Sequence, residues 1–391
     1  MKVLWHSNAP WTPTGYGAQV RLFAPRLGQV HDLAVSAYYG LEGSRLRWDG
    51  IDVFPGLGGE FGNTSLPEHA VRWFRGGPRD GLVLTLMDVW VLDAAMCSQL
   101  NMASWVPVDH DPVSPGILRF FEQSSAVPLA MSRFGQEQLE NYDPIYVPHG
   151  VDMEEFKPHP RASVREAVGM DEDAFLVGMV AANKGRPSRK GFQQAFEAFR
   201  YFHEKHENAR LYLHTQIDPD YSQGEDILTL IASLGIPEGV VTVADQYRQK
   251  FDPLAPAAMA QVYSAFDVLL NPSMGEGFGI PVLEAQACGV PAIVTDFSAM
   301  KEVCGQGWKV GCRPYWTGQK SWQGIADVPD IVGALEECHG RTDAEVATQA
   351  TEARRHAGKY EVGRVTEKYF LPALEECRER FGLEVQEEVP A

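Results

Sequence analysis

The 391-residue chain has few cysteines, no long apolar run and no excess of positive charge. Its six cysteines are widely spaced and form no CxxC pair, which favours reduced thiols over disulfides or a zinc site. There is no run of about eighteen apolar residues, the length a membrane helix needs, and the N-terminus enters a strand-like run directly. We therefore expect no membrane span, no signal peptide and a cytoplasmic location.

The charge balance narrows the class of partner. The 34 Lys and Arg side chains are outnumbered by 52 Asp and Glu, which gives a net charge of −18. Non-specific nucleic-acid binding and attachment to an anionic membrane surface both need a positive field. Nucleic acid and an anionic membrane surface are therefore disfavoured partners, although the overall charge still permits a local basic groove.

Short β-like runs alternate with longer helical runs, a pattern that predicts parallel sheets with crossover helices. The length indicates two domains, and we place the junction near 150–157. The predicted strands are 2–6, 33–37, 82–86, 103–108, 127–131, 145–147, 175–180, 209–214, 240–243, 268–270 and 292–294. The predicted helices are 18–27, 133–140, 192–207, 225–234, 257–265, 281–288, 331–338 and, at the end of the chain, about 362–381.

The segment Asn271–Pro291, NPSMGEGFGIPVLEAQACGVP, is the most specific part of the sequence. It follows an apolar strand with a glycine-punctuated turn and then a helix that Pro281 begins and Gly289 ends. Such a helix N-terminus attracts phosphate through unpaired N–H groups and the helix dipole. Two acidic residues beside it, Glu276 and Glu284, are best used to accept hydrogen bonds from neutral hydroxyl groups. The segment therefore predicts a nucleotide-sugar site.

This segment resembles the E-x7-E signature of retaining glycosyltransferases of the GT-B fold, in particular family 4, the group 1 glycosyl transferases. Shorter stretches at 1–20, 146–158 and 175–192 are similar to the same family in order and spacing. The resemblance implies an α/β GT-B fold in which two Rossmann-like, doubly wound domains face each other across a cleft. Residues 1–152 would form the acceptor domain, completed by the helix at about 362–381. Residues 153–361 would form the donor domain, and 382–391 an acidic tail.

The resemblance also implies roles for the residues of the signature. Glu284 would bind the ribose, and Glu276 would contact hydroxyl groups of the transferred sugar and take part in catalysis. The backbone amides of Gly277, Phe278 and Gly279 would hold the phosphates. The alternative for Glu284 is an ordinary first-turn glutamate, and the alternative for Glu276 is a solvated loop carboxylate. For the three-residue turn, the alternative is a plain tight turn without a ligand.

Cations are needed on the diphosphate because negative charge accumulates there as the glycosidic bond breaks. Lys190 is predicted to be catalytic and donor-binding. Arg186 and Arg189 are donor-binding candidates, because Asn183 stands where the family often has an arginine. Which of the two arginines replaces it stays open, and an ordinary solvated basic turn is the alternative for all three.

In the first domain, Gly15 and Gly17 are predicted to form a flexible donor-binding loop. Asp109 and His110 follow a strand where the resemblance places a histidine near the reacting sugar carbon, so both are catalytic candidates; a strand-end turn is an equally good explanation. Asp109-His110-Asp111 also mimics a D-x-D metal motif. A triplet this short arises often by chance, so we predict no metal.

The resulting functional prediction is a metal-independent retaining hexosyltransferase-like enzyme. It needs no cofactor, takes a UDP- or GDP-sugar as donor and transfers the sugar to a hydroxyl group of an unidentified glycan, lipid, protein or small molecule. The alternatives are a nucleotide-sugar epimerase, a phosphorylase and a non-catalytic scaffold that binds nucleotide sugar. A phosphorylase is less favoured because the sequence has no recognisable pyridoxal-binding lysine motif.

Overall fold

The computed structural model describes residues 1–57, 60–167 and 170–384, and this part of the chain falls into two compact units. The first unit comprises Met1–Gly150, Gly318–Ser321 and the described chain from Val362 onward. The second comprises Val151–Thr317 and Trp322–Glu361. Most of the predicted acidic tail, 382–391, lies outside the described residues.

The first unit contains one sheet with the strand order β3-β4-β2-β1-β5-β6-β7-β8 within the described residues. Its strands are β1 (Lys2–Asn8), β2 (Asp32–Tyr39), β3 (Leu46–Trp48), β4 (Ile51–Phe54), β5 (Leu82–Leu86), β6 (Met102–Val106), β7 (Val127–Ala130) and β8 (Ile145–Tyr146). All pair in parallel except β3, which runs antiparallel to β4. The strand order reverses between β1 and β5, and a crevice at the carboxyl ends of such neighbours is the usual ligand position in an open α/β sheet.

Helices cover the strands of the first unit. They are α1 (Gly15–Leu27), α2 (Ser65–Phe74), α3 (Ala94–Cys97), α4 (Pro115–Ser124) and α5 (Arg133–Gln138), with short 3-10 turns at Glu60–Gly62, Val89–Val91 and Glu140–Tyr142. Amphipathic α2 and α4 turn Leu66, Phe74, Phe120 and Phe121 into the apolar core.

The second unit contains a parallel sheet with the order β11-β10-β9-β12-β13-β14 and a separate antiparallel hairpin, β15-β16, within the described residues. Its strands are β9 (Phe175–Val180), β10 (Ala209–His214), β11 (Val241–Val243), β12 (Val268–Asn271), β13 (Ala292–Thr295), β14 (Gly307–Val310), β15 (Cys312–Trp316) and β16 (Trp322–Ala326). This is the 3-2-1-4-5-6 order of a dinucleotide-binding fold, and its reversal lies between β9 and β12.

The helices of the second unit pack on that sheet. They are α6 (Arg161–Ala167), α7 (Phe192–His203), α8 (Pro219–Ser222), α9 (Ile227–Ser233), α10 (Gln246–Phe251), α11 (Pro256–Ser264), α12 (Ile280–Ala287), α13 (Met300–Val303), α14 (Val328–His339) and α15 (Asp343–Ala357), with a 3-10 turn at Gly358–Tyr360. The core lies between the sheet and the apolar face of α7, where Phe192, Phe196, Phe199 and Phe202 are fully buried. A rigid core therefore lies beneath the loops that follow β9 and β12.

The end of the chain belongs to the first unit. It consists of α16 (Val362–Val365), a π-helical turn at Thr366–Phe370 and α17 (Leu371–Arg380). The ring of Phe370 lies 5.8 Å from Trp5, 5.1 Å from Phe23 and 4.9 Å from Trp105, measured between centroids. This buried aromatic cluster holds the last helices on the sheet of the first unit.

Candidate functional site

The predicted donor residues of the second unit lie in two neighbouring loops. Residues 181–191 follow β9, and 272–279 follow β12, so the loops flank the point where the strand order of this sheet reverses. The sequence places the basic residues in the first loop and the glycines and Glu276 in the second. Opposite charges therefore meet at the position where a parallel α/β sheet most readily takes a ligand.

The glycine turn ends at the start of α12. Gly279 is the N-cap with φ 104°, a backbone conformation that favours glycine, and no side chain caps the helix. Within the part of the chain that the structure describes, neither Gly277 nor Gly279 donates its N–H to another group. These amides and the positive end of the helix dipole can bind an anion.

Glu276 is buried and forms ion pairs with both basic residues of the neighbouring loop. Lys190 Nζ donates to its Oε1, and Arg189 Nη1 donates to its Oε2 at 3.0 Å. Burial alone would raise the pKa of Glu276, but the two cations together outweigh it and lower that pKa to about 2. Glu276 is therefore ionised at neutral pH and is an acceptor for hydrogen bonds, unsuited to act as an acid.

Backbone contacts hold the two loops together. Met274 N–H donates to the carbonyl oxygen of Arg189 at 2.7 Å, and the Arg189 side chain donates to the carbonyl oxygen of Gly275 at 2.7 Å. Gly191 caps α7 with φ 68°, and a Cβ there would lie 2.3 Å from the carbonyl oxygen of Pro272. Arg189 and Lys190 lie in the loop before α7, and Gly191 provides the turn into that helix.

Two further side chains orient the acidic residues, and sequence reasoning missed both. Ser298 Oγ accepts the backbone N–H of Glu276 at 2.9 Å, and the buried Tyr263 hydroxyl donates to Glu284 Oε2 at 2.7 Å. Burial and the neighbouring Glu284 carboxylate raise the pKa of Tyr263 well above its ordinary value, so the phenol stays a donor. Nothing in the sequence indicates these partners, since they lie 22 and 21 residues away from the groups that they orient.

The structure separates the two arginine candidates. Arg186 donates from Nε to the carbonyl oxygen of Gly224 at 2.5 Å and from Nη2 to that of Pro219 at 3.2 Å, whereas Arg189 contacts Glu276. Asn183 is buried and holds Glu225 by two hydrogen bonds of 2.8 Å, one in each direction. Asn183 thus secures a loop. Of the two arginines, Arg189 is the one that lies beside Glu276, together with Lys190.

The prediction of a flexible loop at Gly15 and Gly17 is wrong. Both residues lie in the first turn of α1, where the N–H of Gly17 donates to the N-cap oxygen of Thr14 at 3.0 Å. A Cβ at Gly17 would lie 2.1 Å from Thr12 Oγ1, so the glycine allows the helix to start close to the loop after β1. The cap occupies the Gly17 amide in the ligand-free chain, and the donor-binding role of the two glycines stays a prediction.

Asp109 and His110 lie after β6 in the first unit and contact each other. Asp109 Oδ1 lies 2.6 Å from His110 Nδ1, and the imidazole is buried. Because a carboxylate can only accept, the imidazole donates from Nδ1 to Asp109. The structure brings these two residues together; their catalytic role stays a prediction.

Among the described residues, no group of three or more His, Cys, Asp or Glu side chains is placed to hold a metal ion. Asp109, His110 and Asp111 therefore form no ligand set there, and the metal independence of the reaction stays a prediction. In the same part of the chain, no helix has both the length and the apolar character of a membrane span.

Comparison with known proteins supports the resemblance. Residues 175–326 match the profile of the family described as Glycosyl transferases group 1, a stretch that contains β9, Lys190, Glu276 and Glu284. Similar curated proteins include the D-inositol 3-phosphate glycosyltransferase of Segniliparus rotundus, 26% identical over 55% of this chain and 43% of its own length. That of Mycobacterium sp. (strain KMS) is 31% identical over 40% of this chain and 33% of its own. The chain thus spans less than half the length of these relatives.

Solved structures show the fold. The sucrose-phosphate synthase of Thermosynechococcus elongatus has a TM-score of 0.73 at 16% identity, covering 97% of this chain and 99% of its own. Anabaena HepE, solved in complex with UDP-glucose, has a TM-score of 0.68 at 15% identity, covering 96% of this chain and 100% of its own. The predicted α/β GT-B fold is confirmed.

Proposed function

We propose that this GT-B chain, which resembles the group 1 glycosyltransferases, transfers a sugar from a nucleoside-diphosphate sugar to an acceptor hydroxyl group. The transfer retains the anomeric configuration and needs no metal. The observation that carries this proposal is the buried carboxylate of Glu276, paired with Lys190 and Arg189 beside the glycine turn. Cations, free amides and an ionised acceptor are the groups that a diphosphate joined to a sugar requires.

Each group has a role in this proposal. Lys190 and Arg189 neutralise the diphosphate together with the amides of Gly277 and Gly279, and Glu276 accepts hydrogen bonds from hydroxyl groups of the sugar. Glu284, oriented by the Tyr263 phenol, accepts from the ribose hydroxyls. In the ligand-free chain the cations and Glu276 bind one another, so these side chains are already held where charge develops.

The reaction exchanges one bond for another on the same face of the sugar. As the bond between the sugar C1 and the phosphate oxygen breaks, its electron pair stays on the diphosphate, where Lys190 stabilises the added charge. The acceptor oxygen bonds to C1, and its proton passes to the departing phosphate oxygen. Glu276 takes no proton, in keeping with its low pKa.

The donor domain is thus assigned to the second unit and the acceptor domain to the first, where Asp109 and His110 would orient the acceptor. The solved relatives suggest that UDP-sugars be tried first, since Anabaena HepE was solved with UDP-glucose. The cytoplasmic location stays a prediction.

A thermal-shift screen of UDP-, GDP-, ADP- and dTDP-sugars tests the donor assignment, because specific binding raises apparent stability by mass action. With the selected donor, Glu284→Gln should weaken binding about tenfold or more, since it loses charge-assisted hydrogen bonds to hydroxyl groups. Glu352→Gln, at a half-buried glutamate of α15 that pairs with Arg355 of the same helix, is the control. Lys190→Met should lower kcat by about a hundredfold.

Product analysis separates the alternatives. NMR of the anomeric proton should show retention, and EDTA should leave the rate unchanged. Conversion of the donor in the absence of any acceptor would identify an epimerase, and binding without turnover a scaffold. Unaltered donor affinity in Glu284→Gln together with unaltered turnover in Lys190→Met contradicts the proposal.

A further inference from the structure

Among the described residues, three large aromatic side chains are exposed in segments that follow strands at the carboxyl edge of the sheet in the first unit, in addition to Tyr39 at the end of β2. Trp11 follows β1, Phe61 follows β4 and Trp90 follows β5, and their exposed fractions are 40%, 39% and 48%. Single exposed apolar residues are common, but several aromatic rings along one functional edge mark a binding surface. The aromatic edge is the name used below for these three residues.

The surroundings hold the ring of Trp11 and constrain Phe61 and Trp90 near their backbones. Trp11 Nε1 donates to the carbonyl oxygen of Gly40 at 2.7 Å, so the faces of the ring are what it can offer to a ligand. The carbonyl oxygen of Phe61 accepts from His6 Nε2 at 3.0 Å. A Cβ on Gly116 would lie 3.1 Å from the Cβ of Trp90, which shows how closely α4 backs that residue. Rings that are held in place lose little conformational freedom when a ligand binds.

Trp11 and Trp90 follow β1 and β5, the two strands between which the order of this sheet reverses, and Phe61 follows β4. Tyr16, in the first turn of α1, donates from its hydroxyl group to Asp88 Oδ2 at 3.4 Å and so joins the two sides of that reversal. Asp88 is exposed immediately after β5. An open α/β sheet binds its ligand at this position, and here the available groups are ring faces and a carboxylate.

The charge of the surrounding loops is negative. Residues 9–14, 61–64, 87–93 and 107–114 follow β1, β4, β5 and β6, and they contain four acidic residues and no Lys or Arg. Of the basic residues outside these loops, Arg45 pairs with Asp52 at 3.7 Å and the Arg133 guanidinium lies 3.6 Å from the Tyr146 ring centroid, while Arg119 lies in α4. A phosphate group at this edge would meet like charge.

We propose that the aromatic edge binds a neutral sugar or glycoside as the acceptor and discriminates against phosphorylated acceptors. The polarised C–H faces of a sugar ring stack on the negative faces of Trp11 and Trp90, and Asp88 accepts a hydrogen bond from a sugar hydroxyl group. This inference rests on the proposed function, because it names the acceptor class of that reaction.

The test compares acceptors that differ by one phosphate group. With the donor selected by thermal shift, kcat/KM is measured for glucose against glucose 6-phosphate, for myo-inositol against D-inositol 3-phosphate, and for a panel of neutral methyl glycosides. We expect transfer to at least one neutral glycoside, and a preference of about tenfold or more for the neutral member of each pair used. Preference for a phosphorylated member overturns the inference.

Two results separate this inference from the proposed function. Donor binding with no transfer to any neutral acceptor of the panel overturns the acceptor assignment and leaves the donor site standing. Failure of every nucleotide sugar to bind removes the proposed function, and the acceptor assignment with it.

Variants locate the acceptor contact. Trp90→Ala should raise the KM of the neutral acceptor about tenfold without changing the KM of the donor, and Trp90→Phe should restore most of the affinity. Tyr247→Ala, which removes an exposed ring from α10 of the second unit, is the matched control and should change neither KM. Asp88→Asn should lower the ratio of kcat/KM for the neutral acceptor to kcat/KM for its phosphorylated counterpart. An unchanged preference in Asp88→Asn, with an unchanged acceptor KM in Trp90→Ala, contradicts the assignment.

Discussion

Removing the ammonium group of Lys190 should destabilise the second unit as well as impair turnover. The Glu276 side chain is 9% exposed and that of Lys190 15%, so the carboxylate keeps little access to water when its partner is lost. The folded chain lowers the pKa of Glu276 from its ordinary 4.5 to about 2, which corresponds to about 3 kcal/mol of stability at neutral pH. Loss of one partner of a buried ion pair costs about 3–5 kcal/mol in other proteins. We therefore expect Lys190→Met to lower the unfolding free energy at pH 7 by about 3 kcal/mol.

The assay is urea unfolding of the ligand-free protein at several pH values, with one transition fitted for each unit. A carboxylate whose pKa is depressed by folding contributes its full stability above pH 4.5 and loses it as the pH falls toward 2. The gap between wild type and Lys190→Met should therefore be largest at pH 7 and narrow below about pH 4.5. Arg189→Met is the internal comparison, because the arginine is 43% exposed and its loss should cost less than about 1 kcal/mol. If Lys190→Met is as stable as Arg189→Met at pH 7, the ion pair lacks the strength assigned to it.

Two further predictions concern stability. Burial lowers the pKa of His6 from 6.5 to about 4, so the folded chain binds fewer protons than the unfolded chain between these values, and stability falls as the pH is lowered through that window. This residue should account for about 2 kcal/mol between pH 7 and pH 5, and His6→Gln should show a shallower pH dependence in urea unfolding; an equal slope refutes the assignment. Gly191→Ala should cost more than about 2 kcal/mol, because φ is 68° and the new Cβ would lie 2.3 Å from a carbonyl oxygen. Gly333→Ala, in α14 with open space around the new methyl group, should instead gain about 0.5–1 kcal/mol, and equal midpoints for the two variants would contradict the reasoning.

The sequence predicts the buried strands well because their ends are marked by a change from apolar to polar or turn-forming residues. The predicted limits of β5, β9 and β10 coincide with the observed ones, since each is a largely apolar run with polar or turn-forming residues within three positions of both ends. The hairpin β15-β16 was missed because β15 is largely exposed and contains Pro314, while the buried positions of β16 include the polar Gln323 and Gly324. Helix α15 was missed because only Ala353 and Ala357 are buried along it, which leaves no apolar stripe to recognise.

The residues of the candidate site could be predicted from the sequence, but the contacts between their side chains could not. Glycines, glutamates and basic residues were identified from local order, whereas the contact between Lys190 and Glu276 joins residues 86 positions apart. The sequence alone does not distinguish Arg186 from Arg189. In the structure, Arg186 donates to the carbonyl oxygen of Gly224, whereas Arg189 donates to Glu276. Gly15 and Gly17 were misassigned because a glycine that permits close packing and one that supplies a flexible turn look the same in a sequence.

The ion pair of Lys190 and Glu276 is expected to contribute both to folding stability and to turnover. A double variant can separate these two contributions. Lys190→Met with Glu276→Gln removes both charges and leaves groups of similar volume, so no buried ion is stranded, and stability should return to within about 1 kcal/mol of wild type. The same double variant lacks the cation for the diphosphate and the carboxylate for the sugar hydroxyls, so turnover should stay at least as low as in Lys190→Met alone. Recovery of activity together with stability would show that the pair only holds the two loops together. A stable, inactive protein would show that the fold keeps a charged pair there because the reaction requires it.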